Sequence, residues 1–156
     1  MKIVLLTVGK TDVPWVREGL QLYAARLQHY ARFELKEIPE LKNTSALSED
    51  QIKSREGALI LKETVGMEIY LLDEHGREYR SIEFAAWLQD RLNRGGKDIC
   101  FVIGGAYGFS REVYDVASGK LSLSKMTFSH QMVRTIFAEQ LYRAFTIIKG
   151  EPYHHE

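Results

Sequence analysis

The fold is decided by the stretch Ile99-Cys-Phe-Val-Ile-Gly-Gly-Ala-Tyr-Gly-Phe109, an apolar strand that runs directly into a glycine turn. A strand that ends in two glycines lets a ligand approach the backbone closely. We therefore expect a side chain at Gly105 to intrude into ligand space. Glycines alone are more typical of a sharp turn than of a ligand-binding site. However, open α/β sheets bind their ligands at the carboxyl ends of parallel strands, which is where this turn is predicted.

A second stretch, Leu121-Ser-Leu-Ser-Lys-Met-Thr-Phe-Ser-His-Gln-Met-Val-Arg134, is a loop of small polar residues that opens a long helix. Backbone amides and hydroxyls beside apolar walls suit a flat, half-polar molecule such as an adenine-bearing cofactor. Another predicted strand ends in Leu71-Leu72-Asp73. The three strand ends form one pocket if their strands are neighbours in the sheet.

Working outward from these stretches, apolar runs of β type alternate with helical periodicity along the chain. Pro14 is suited to begin the first helix, Ser48 and Gln51 have capping-box spacing, and Ser81 is expected to cap a later helix. Asp73–Gly76 is predicted to be a turn. Strands are predicted over 2–8, 33–38, 67–72, 98–103 and 120–123, and helices over 13–30, 48–65, 81–93, a short piece after Ser110, and 130–148. The pattern predicts one α/β domain over 1–156, with a mainly parallel sheet covered by helices on both faces.

The last predicted helix has two faces whose composition predicts packing against another part of the protein. One face is continuously apolar, and the second, semi-polar face carries Met132, Thr135, Glu139, Tyr142 and Thr146. Such a helix lies either deep in a domain or at a subunit interface. We expect the second face to form the interface of a homodimer.

Composition excludes several classes of protein. The chain has 21 basic and 21 acidic residues, so a nucleic acid would be bound by a local patch and not by the whole surface. A single cysteine, Cys100, excludes a disulfide framework and a cysteine-based metal site. Without a leader or an apolar run long enough to cross a membrane, the protein is expected in the cytoplasm, with no membrane partner.

The motifs exclude other chemistries. The glycine turn does not fit Gly-x-Gly-x-x-Gly, and no carboxylate follows about twenty residues later to hold a ribose. A phosphate-binding loop and the Gly-x-Ser-x-Gly elbow of serine hydrolases are both missing. His130 with Arg134, and His154 with His155, lack a third ligand at suitable spacing, so we expect no metal site. His130 is equally compatible with a residue that simply starts a helix, and His154 and His155 are compatible with a solvated terminus.

Five motifs occur in order along the chain: Val102-Ile-Gly-Gly-Ala-Tyr-Gly108, Leu123-Ser-Lys-Met-Thr127, His130-Gln-Met-Val-Arg134, Glu139-Gln-Leu-Tyr-Arg-Ala144 and Pro152-Tyr-His154. Together with the opening Met1–Lys10 and the chain length, they closely resemble the ribosomal RNA large subunit methyltransferase H family of the SPOUT superfamily. The resemblance implies a C-terminal trefoil knot, which is rare among protein folds. It also implies a homodimer and S-adenosylmethionine as cofactor. The implied acceptor is N3 of pseudouridine 1915 in 23S ribosomal RNA, within assembled ribosomes.

Site residues follow from the resemblance one by one. The cofactor pocket would comprise Leu72, Gly104, Gly105, Leu123, Ser124, Lys125, Met126, Thr127 and Phe128. RNA would be faced by Arg134, Tyr142, Arg143, Tyr153 and His154. Catalysis would involve His130, Arg134, Tyr153 and His154. The family commonly places Arg or Lys directly after its Tyr-His, whereas this chain has His155, so a phosphate contact there would be weaker or pH-dependent.

The chemistry of the reagents leaves the proton acceptor open. The acceptor N3 is a weakly acidic imide that must lose its proton; a neutral His130 or His154 would take it, or Arg134 would favour the anion. Two rival functions compete with methyl transfer. One is a flavodoxin-like or nucleotide-sensing module without chemistry, and the other is a nicotinamide oxidoreductase, which the missing ribose carboxylate disfavours.

Overall fold

The computed structural model describes residues 1–155 and contains five strands and five α-helices in that range. The sheet has the order β2-β1-β4-β3-β5, and every pairing between its strands is parallel. The elements are β1 (Lys2–Val8), α1 (Pro14–Leu27), β2 (Arg32–Ile38), a 3-10 turn (Thr44–Ala46), α2 (Glu49–Glu63), β3 (Glu68–Glu78), α3 (Ser81–Arg94), β4 (Ile99–Ile103), α4 (Arg111–Val116), β5 (Gly119–Ser122) and α5 (Met132–Ile148).

Both faces of the sheet are covered, as the predicted fold class requires. Side chains alternate along β1, so Ile3 and Leu5 pack with the α1, α3 and α5 side, while Val4 and Leu6 pack with the α2 and α4 side. All four are essentially inaccessible to water. The apolar runs in β1 and β4 are therefore continuous and do not alternate between apolar and polar residues, because both faces of each strand are buried.

Local signals at the helix starts are partly confirmed. Pro14 begins α1, and Ser48 forms the expected capping box with Gln51 at the start of α2. The cap assigned to Ser81 is wrong, because the residue before the helix is Arg80 and Ser81 is already helical. The Ser81 hydroxyl instead donates to Oε1 of Gln140 at 3.1 Å, which links α3 to α5.

The predicted turn at Asp73–Gly76 is wrong, because β3 continues to Glu78 and these residues form a bulge within it. Leu72 and Arg77 both pair with Leu121 of β5, so the four intervening residues project out of the ladder. A Cβ atom at Gly76 would lie 2.6 Å from the backbone nitrogen of Leu121. Pairing with the edge strand therefore overrides a local signature that is typical of a turn.

Helix α5 lies within the domain, packed against α1 and α3. Two residues of its second face contact α1: the Thr135 hydroxyl donates to the Val16 carbonyl at 2.8 Å, and the Tyr142 ring lies 5.8 Å from that of Tyr23. Gly19 allows this approach, since a Cβ there would come within 2.9 Å of the Thr135 methyl. Helix α1 therefore covers part of the second face, while Met132 at the start of α5 stays exposed, and the subunit interface expected at this face remains a prediction.

The segment 123–131 connects edge strand β5 to α5 by crossing the ends of β3 and β4. Thr127 donates to Glu74 at 3.1 Å, and further along Gln131 contacts the end of β1 through the Lys10 carbonyl and the Asp12 amide. We refer to residues 123–131 as the crossing segment. It belongs to the C-terminal region in which the family resemblance implies the knot.

Candidate functional site

A cavity of about 560 Å³ lies at the carboxyl ends of β3, β4 and β5, which are neighbours in the sheet. This volume falls in the range of small-molecule sites. We refer to it as the donor cavity. Its lining includes every residue expected to form the cofactor pocket except Lys125: Leu72, Gly104, Gly105, Leu123, Ser124, Met126, Thr127 and Phe128. His130 also lines it.

The glycine turn forms one wall of the donor cavity. The Gly108 amide donates to the Gly105 carbonyl at 3.2 Å, and Gly108 has a φ of +84°, which L side chains rarely adopt. A Cβ on Gly105 would meet the Glu56 carboxylate at 2.8 Å, on helix α2. The expectation that a side chain at Gly105 enters ligand space is thus wrong, since it would be directed at α2.

Glu56, behind this turn, is a residue that the sequence did not single out. Its Oε1 atom is buried and accepts no hydrogen bond from residues 1–155. Burial raises the pKa of the Glu56 carboxyl, and the nearby negative charge of Glu40 raises it further. In the sequence this position is one more charged residue on an amphipathic helix, so no local signal marks it.

The crossing segment forms the opposite wall and is held in shape by its own hydroxyl groups. Ser122 Oγ donates to the Ser124 carbonyl at 2.9 Å, and Ser124 Oγ accepts from the Met126 amide at 2.9 Å. The Met126 side chain is 78% exposed at the cavity. This wall of the donor cavity therefore presents the apolar Met126 side chain on a backbone whose conformation is held by hydrogen bonds.

The rim at β3 contains two further residues that the sequence left unassigned. The Tyr114 hydroxyl donates to the Asp73 carboxylate, which links α4 to the bulge in β3. Burial is the larger cause and this hydrogen bond the second cause of a raised pKa of Tyr114, so the phenol remains a hydrogen-bond donor. Apolar walls, the backbone of the Gly104-Gly105 turn and polar groups at the rim fit an adenosyl cofactor.

Arg134, expected to face RNA, is instead completely buried. Its guanidinium donates to the carbonyls of Val8, Gly9 and His130, each at 2.9 Å, and to the Thr11 hydroxyl at 2.8 Å. Burial lowers the pKa of Arg134, while nearby carboxylates led by Glu37 raise it. Arg134 thus joins α5 to the end of β1, and it presents no group to a ligand in this structure.

Tyr153 and His154 are docked on α5 and do not form a frayed end. Arg143 Nη1 lies 3.0 Å from His154 Nδ1, and Arg143 also donates to the Glu139 carboxylate at 2.5 and 3.0 Å. The Tyr153 hydroxyl donates to Glu139 at 3.3 Å, and its ring is 4.8 Å from that of Tyr142. We call Glu139, Tyr142, Arg143, Tyr153 and His154 the tail cluster. Its carboxylate, Glu139, was not predicted as a site residue.

The tail cluster and the donor cavity are far apart within one chain. Val133 lines the cavity, and Arg143 lies ten residues further along α5. At 1.5 Å per residue, this separates the two by about 15 Å along the helix axis. Residues expected to act on one reaction therefore lie in two places on the protomer.

In the described part of the chain, residues 1–155, no group of three His, Cys, Asp or Glu side chains is placed to hold a metal ion. None of the helices in this range is long and apolar enough to cross a membrane.

Comparison with known proteins supports the fold and identifies the family. The chain shares 54% identity over 156 residues with ribosomal RNA large subunit methyltransferase H of Christiangramia forsetii, covering 99% of each chain. The protein of the same name from Phocaeicola vulgatus is 52% identical over 157 positions, with full coverage of both. Among solved structures, a "probable methylase family protein" from Haemophilus influenzae Rd KW20 matches 99% of this chain and 70% of its own, with a TM-score of 0.54 at 14% identity. A Bacillus anthracis protein matches 100% and 99%, with a TM-score of 0.53 at 15% identity.

The profile described as "Predicted SPOUT methyltransferase" matches residues 1–154. The all-parallel sheet with helices on both faces agrees with this match, and the cavity fits the cofactor that a methyltransferase requires. The chain therefore belongs to the SPOUT methyltransferases, within the ribosomal RNA large subunit methyltransferase H family, and its cofactor is S-adenosylmethionine.

Proposed function

We propose that this protein methylates N3 of pseudouridine 1915 in 23S ribosomal RNA, acting on assembled ribosomes in the cytoplasm. The observation that carries the proposal is the donor cavity, whose walls combine a Cβ-free turn with an apolar loop. The tail cluster adds a cation and two half-buried aromatic rings, which are the kinds of groups that recognise an unstacked base and its phosphates.

Three apolar side chains of the donor cavity, Leu72, Leu123 and Met126, are assigned to the adenine ring. Backbone amides around Gly104 and Ser124 are assigned to the polar edge of the ring and to the ribose. When bound, S-adenosylmethionine supplies an electrophilic methyl group. The residues of the chain then have to hold the acceptor nitrogen in line with that methyl, and alignment alone contributes several orders of magnitude in rate.

The acceptor nitrogen must lose its proton, and the tail cluster contains the groups for this step. Arg143 is held by Glu139, whose hydrogen bond raises the pKa of the guanidinium, so its positive charge is permanent. That charge favours the N3 anion. His154 is assigned to accept the proton at Nδ1, which requires this nitrogen to exchange its hydrogen bond from Arg143, at 3.0 Å, for the N3 proton while the other ring nitrogen keeps its hydrogen. Tyr153 is assigned to stack on the base, and His130 stands at the cavity as a second candidate acceptor.

We assign a homodimer on the basis of the distance between the tail cluster and the donor cavity. Since about 15 Å of helix separates the tail cluster from the donor cavity of its own chain, we assign the cluster to the cavity of a second copy. The exposed apolar side chains Trp15, Leu22 and Met132 lie on α1 and at the start of α5, and we assign the contact to this surface. Light scattering is expected to give twice the protomer mass at micromolar concentration, and a monomer would contradict the assignment.

Complementation tests the shared site directly. Leu72→Arg blocks the donor cavity and Arg143→Ala removes the cation of the tail cluster, so each variant alone is expected to be inactive. Mixing them with exchange of subunits leaves one intact composite site in each mixed dimer, and thus about a quarter of the wild-type activity. No recovery in confirmed mixed dimers would show that each active site is built from one chain.

The reaction is tested with labelled S-adenosylmethionine and ribosomes that lack the modification, compared with free ribosomal RNA. We expect label in the ribosomes, located at N3 of the pseudouridine by mass spectrometry. Deleting residues 152–156 should leave donor binding by calorimetry unchanged and lower methyl transfer by orders of magnitude. Calorimetry with NADH and FMN serves as the comparison, and tight binding of either in place of the donor would overturn the proposal.

A further inference from the structure

A second cavity, of about 250 Å³, lies beside edge strand β5, away from the walls assigned to the cofactor. Three aromatic side chains surround it: Tyr70 of β3, Tyr79 after β3, and Trp87 of α3. Its floor is Phe101, which is completely buried, whereas the three surrounding rings remain partly accessible. We refer to it as the aromatic cavity.

The chain keeps this space open by placing a glycine on the facing strand. Gly119 pairs with Tyr70 across the β3–β5 ladder, and a Cβ there would lie 3.3 Å from the Tyr70 ring. Trp87 stands edge-on to Tyr70, with ring centres 4.8 Å apart, and is stacked on Phe84 at 5.7 Å, and its half-buried ring lines the cavity. A flat ring entering the cavity would meet aromatic surface on more than one side.

Two exposed cations, Arg77 and Lys120, line the mouth of the aromatic cavity. The Arg77 guanidinium lies 4.6 Å from the centre of the Tyr79 ring, and the Lys120 ammonium lies 5.6 Å from that of Tyr114. Within residues 1–155, neither cation forms an ion pair with a carboxylate. Their charges are therefore available to an anion outside the cavity.

A surface groove of about 520 Å³ joins the aromatic cavity to the donor cavity. It shares Gly119 and Lys120 with the former, and Asp73, His75 and Tyr114 with the latter. An extended chain could thus lie across β5 with one end at each cavity.

We propose that the aromatic cavity binds one nucleotide of the substrate RNA strand, with its base stacked against Trp87 and Tyr79 and its phosphate beside Lys120 and Arg77. Stacking on aromatic rings next to a cation is how proteins hold unpaired bases without reading their sequence. That the strand is the substrate rests on the proposed function, because the groove leads from this cavity to the methyl donor.

Trp87 makes the proposal measurable by fluorescence. The only other tryptophan is Trp15, so Trp15→Phe leaves Trp87 as the single reporter. This change keeps an aromatic ring at the assigned dimer surface, and light scattering checks that the oligomeric state is unchanged. We expect a uridine hexamer to quench Trp87 saturably in the otherwise intact protein, and to bind more tightly than uridine monophosphate. Each cation contributes to the salt dependence, so Lys120→Met and Arg77→Met should each lower the slope of log affinity against log salt by about 0.7. Each should also weaken hexamer binding on the order of tenfold.

Two further variants separate this site from general charge and from folding. Lys97→Met removes an equally exposed lysine at the far end of α3 and should leave quenching unchanged. Gly119→Val fills the cavity without changing charge and should abolish quenching, with folding checked by circular dichroism. Absence of saturable quenching, quenching by the mononucleotide alone, or equal effects of Lys97→Met and Lys120→Met would overturn the proposal. Calorimetry with S-adenosylmethionine on the same samples measures cofactor binding at the donor cavity independently.

Discussion

Replacing Arg134 with methionine tests whether the buried guanidinium joins α5 to the end of β1. Methionine fills a similar volume without donors, so the carbonyls of Val8, Gly9 and His130 and the Thr11 hydroxyl lose their partner. Hydrogen bonds to a charged group contribute about 1.5–3 kcal/mol each, and part of their sum offsets the cost of burying the charge. Removing one partner from such a buried network costs about 3–5 kcal/mol, which we expect here.

Urea titration at one protomer concentration measures this loss. With a slope of about 2 kcal/mol per molar urea, the midpoint should fall by about 2 M. Arg94→Met is the matched control, because Arg94 is exposed and forms only a surface pair with Asp90 at 3.3 Å; it should change stability by less than about 0.5 kcal/mol. Arg134→Lys keeps the charge but not the fork of donors, so it should lie between the two. A loss below about 1 kcal/mol for Arg134→Met would refute the reasoning.

Three further predictions concern groups at the sheet and the glycine turn. Burial raises the pKa of Cys100 to about 12, so the thiol should not react with a disulfide reagent at pH 8 until the protein unfolds; rapid reaction of folded protein would contradict this. The raised pKa of Glu56 gives stability that is present below its ordinary value of 4.5 and is lost as the pH rises through the folded value. Glu56→Gln should therefore raise the urea midpoint at pH 8 but not at pH 4, and equal midpoints for both proteins at pH 8 would show a solvated carboxylate. Gly105→Ala should destabilise the wild type through its 2.8 Å approach to Glu56, and less so in a Glu56→Ala background, as a double-mutant cycle measures; additive losses would contradict the contact.

The parts of the fold that were predictable are those encoded within one element. The apolar runs of β1 and β4 and the Gly104-Gly105 turn carry their own signal, because two-sided burial and a Cβ-free backbone are local properties of sequence. The cavity followed, since parallel strands place their carboxyl ends at one edge of the sheet. Here β3 and β4 are consecutive along the chain and are also neighbours in the sheet, whereas the position of β5 beside β3 could not be predicted from the sequence.

Predictions failed where the partner lies far along the chain. Arg134 has the spacing of a semi-polar helix face, yet its acceptors end a strand about 125 residues earlier. Asp73–Gly76 has turn composition, but pairing with β5 decides its conformation. Nothing in the sequence around Glu56 indicates that a glycine turn from another element would lie against its carboxylate.

The position of α5 has a consequence for how this protein is made. Phe137 of α5 lies 4.8 Å from Phe101 of β4 and 6.4 Å from Phe84 of α3, so it completes the apolar layer on that side of the sheet. Because α5 begins at Met132, the part of this apolar sheet face that α5 covers stays exposed in the nascent chain until the last residues leave the ribosome. Such surface attracts other unfinished chains. A premature stop before Met132 should therefore give an aggregating product that chaperones retain, even though all five strands have been synthesised.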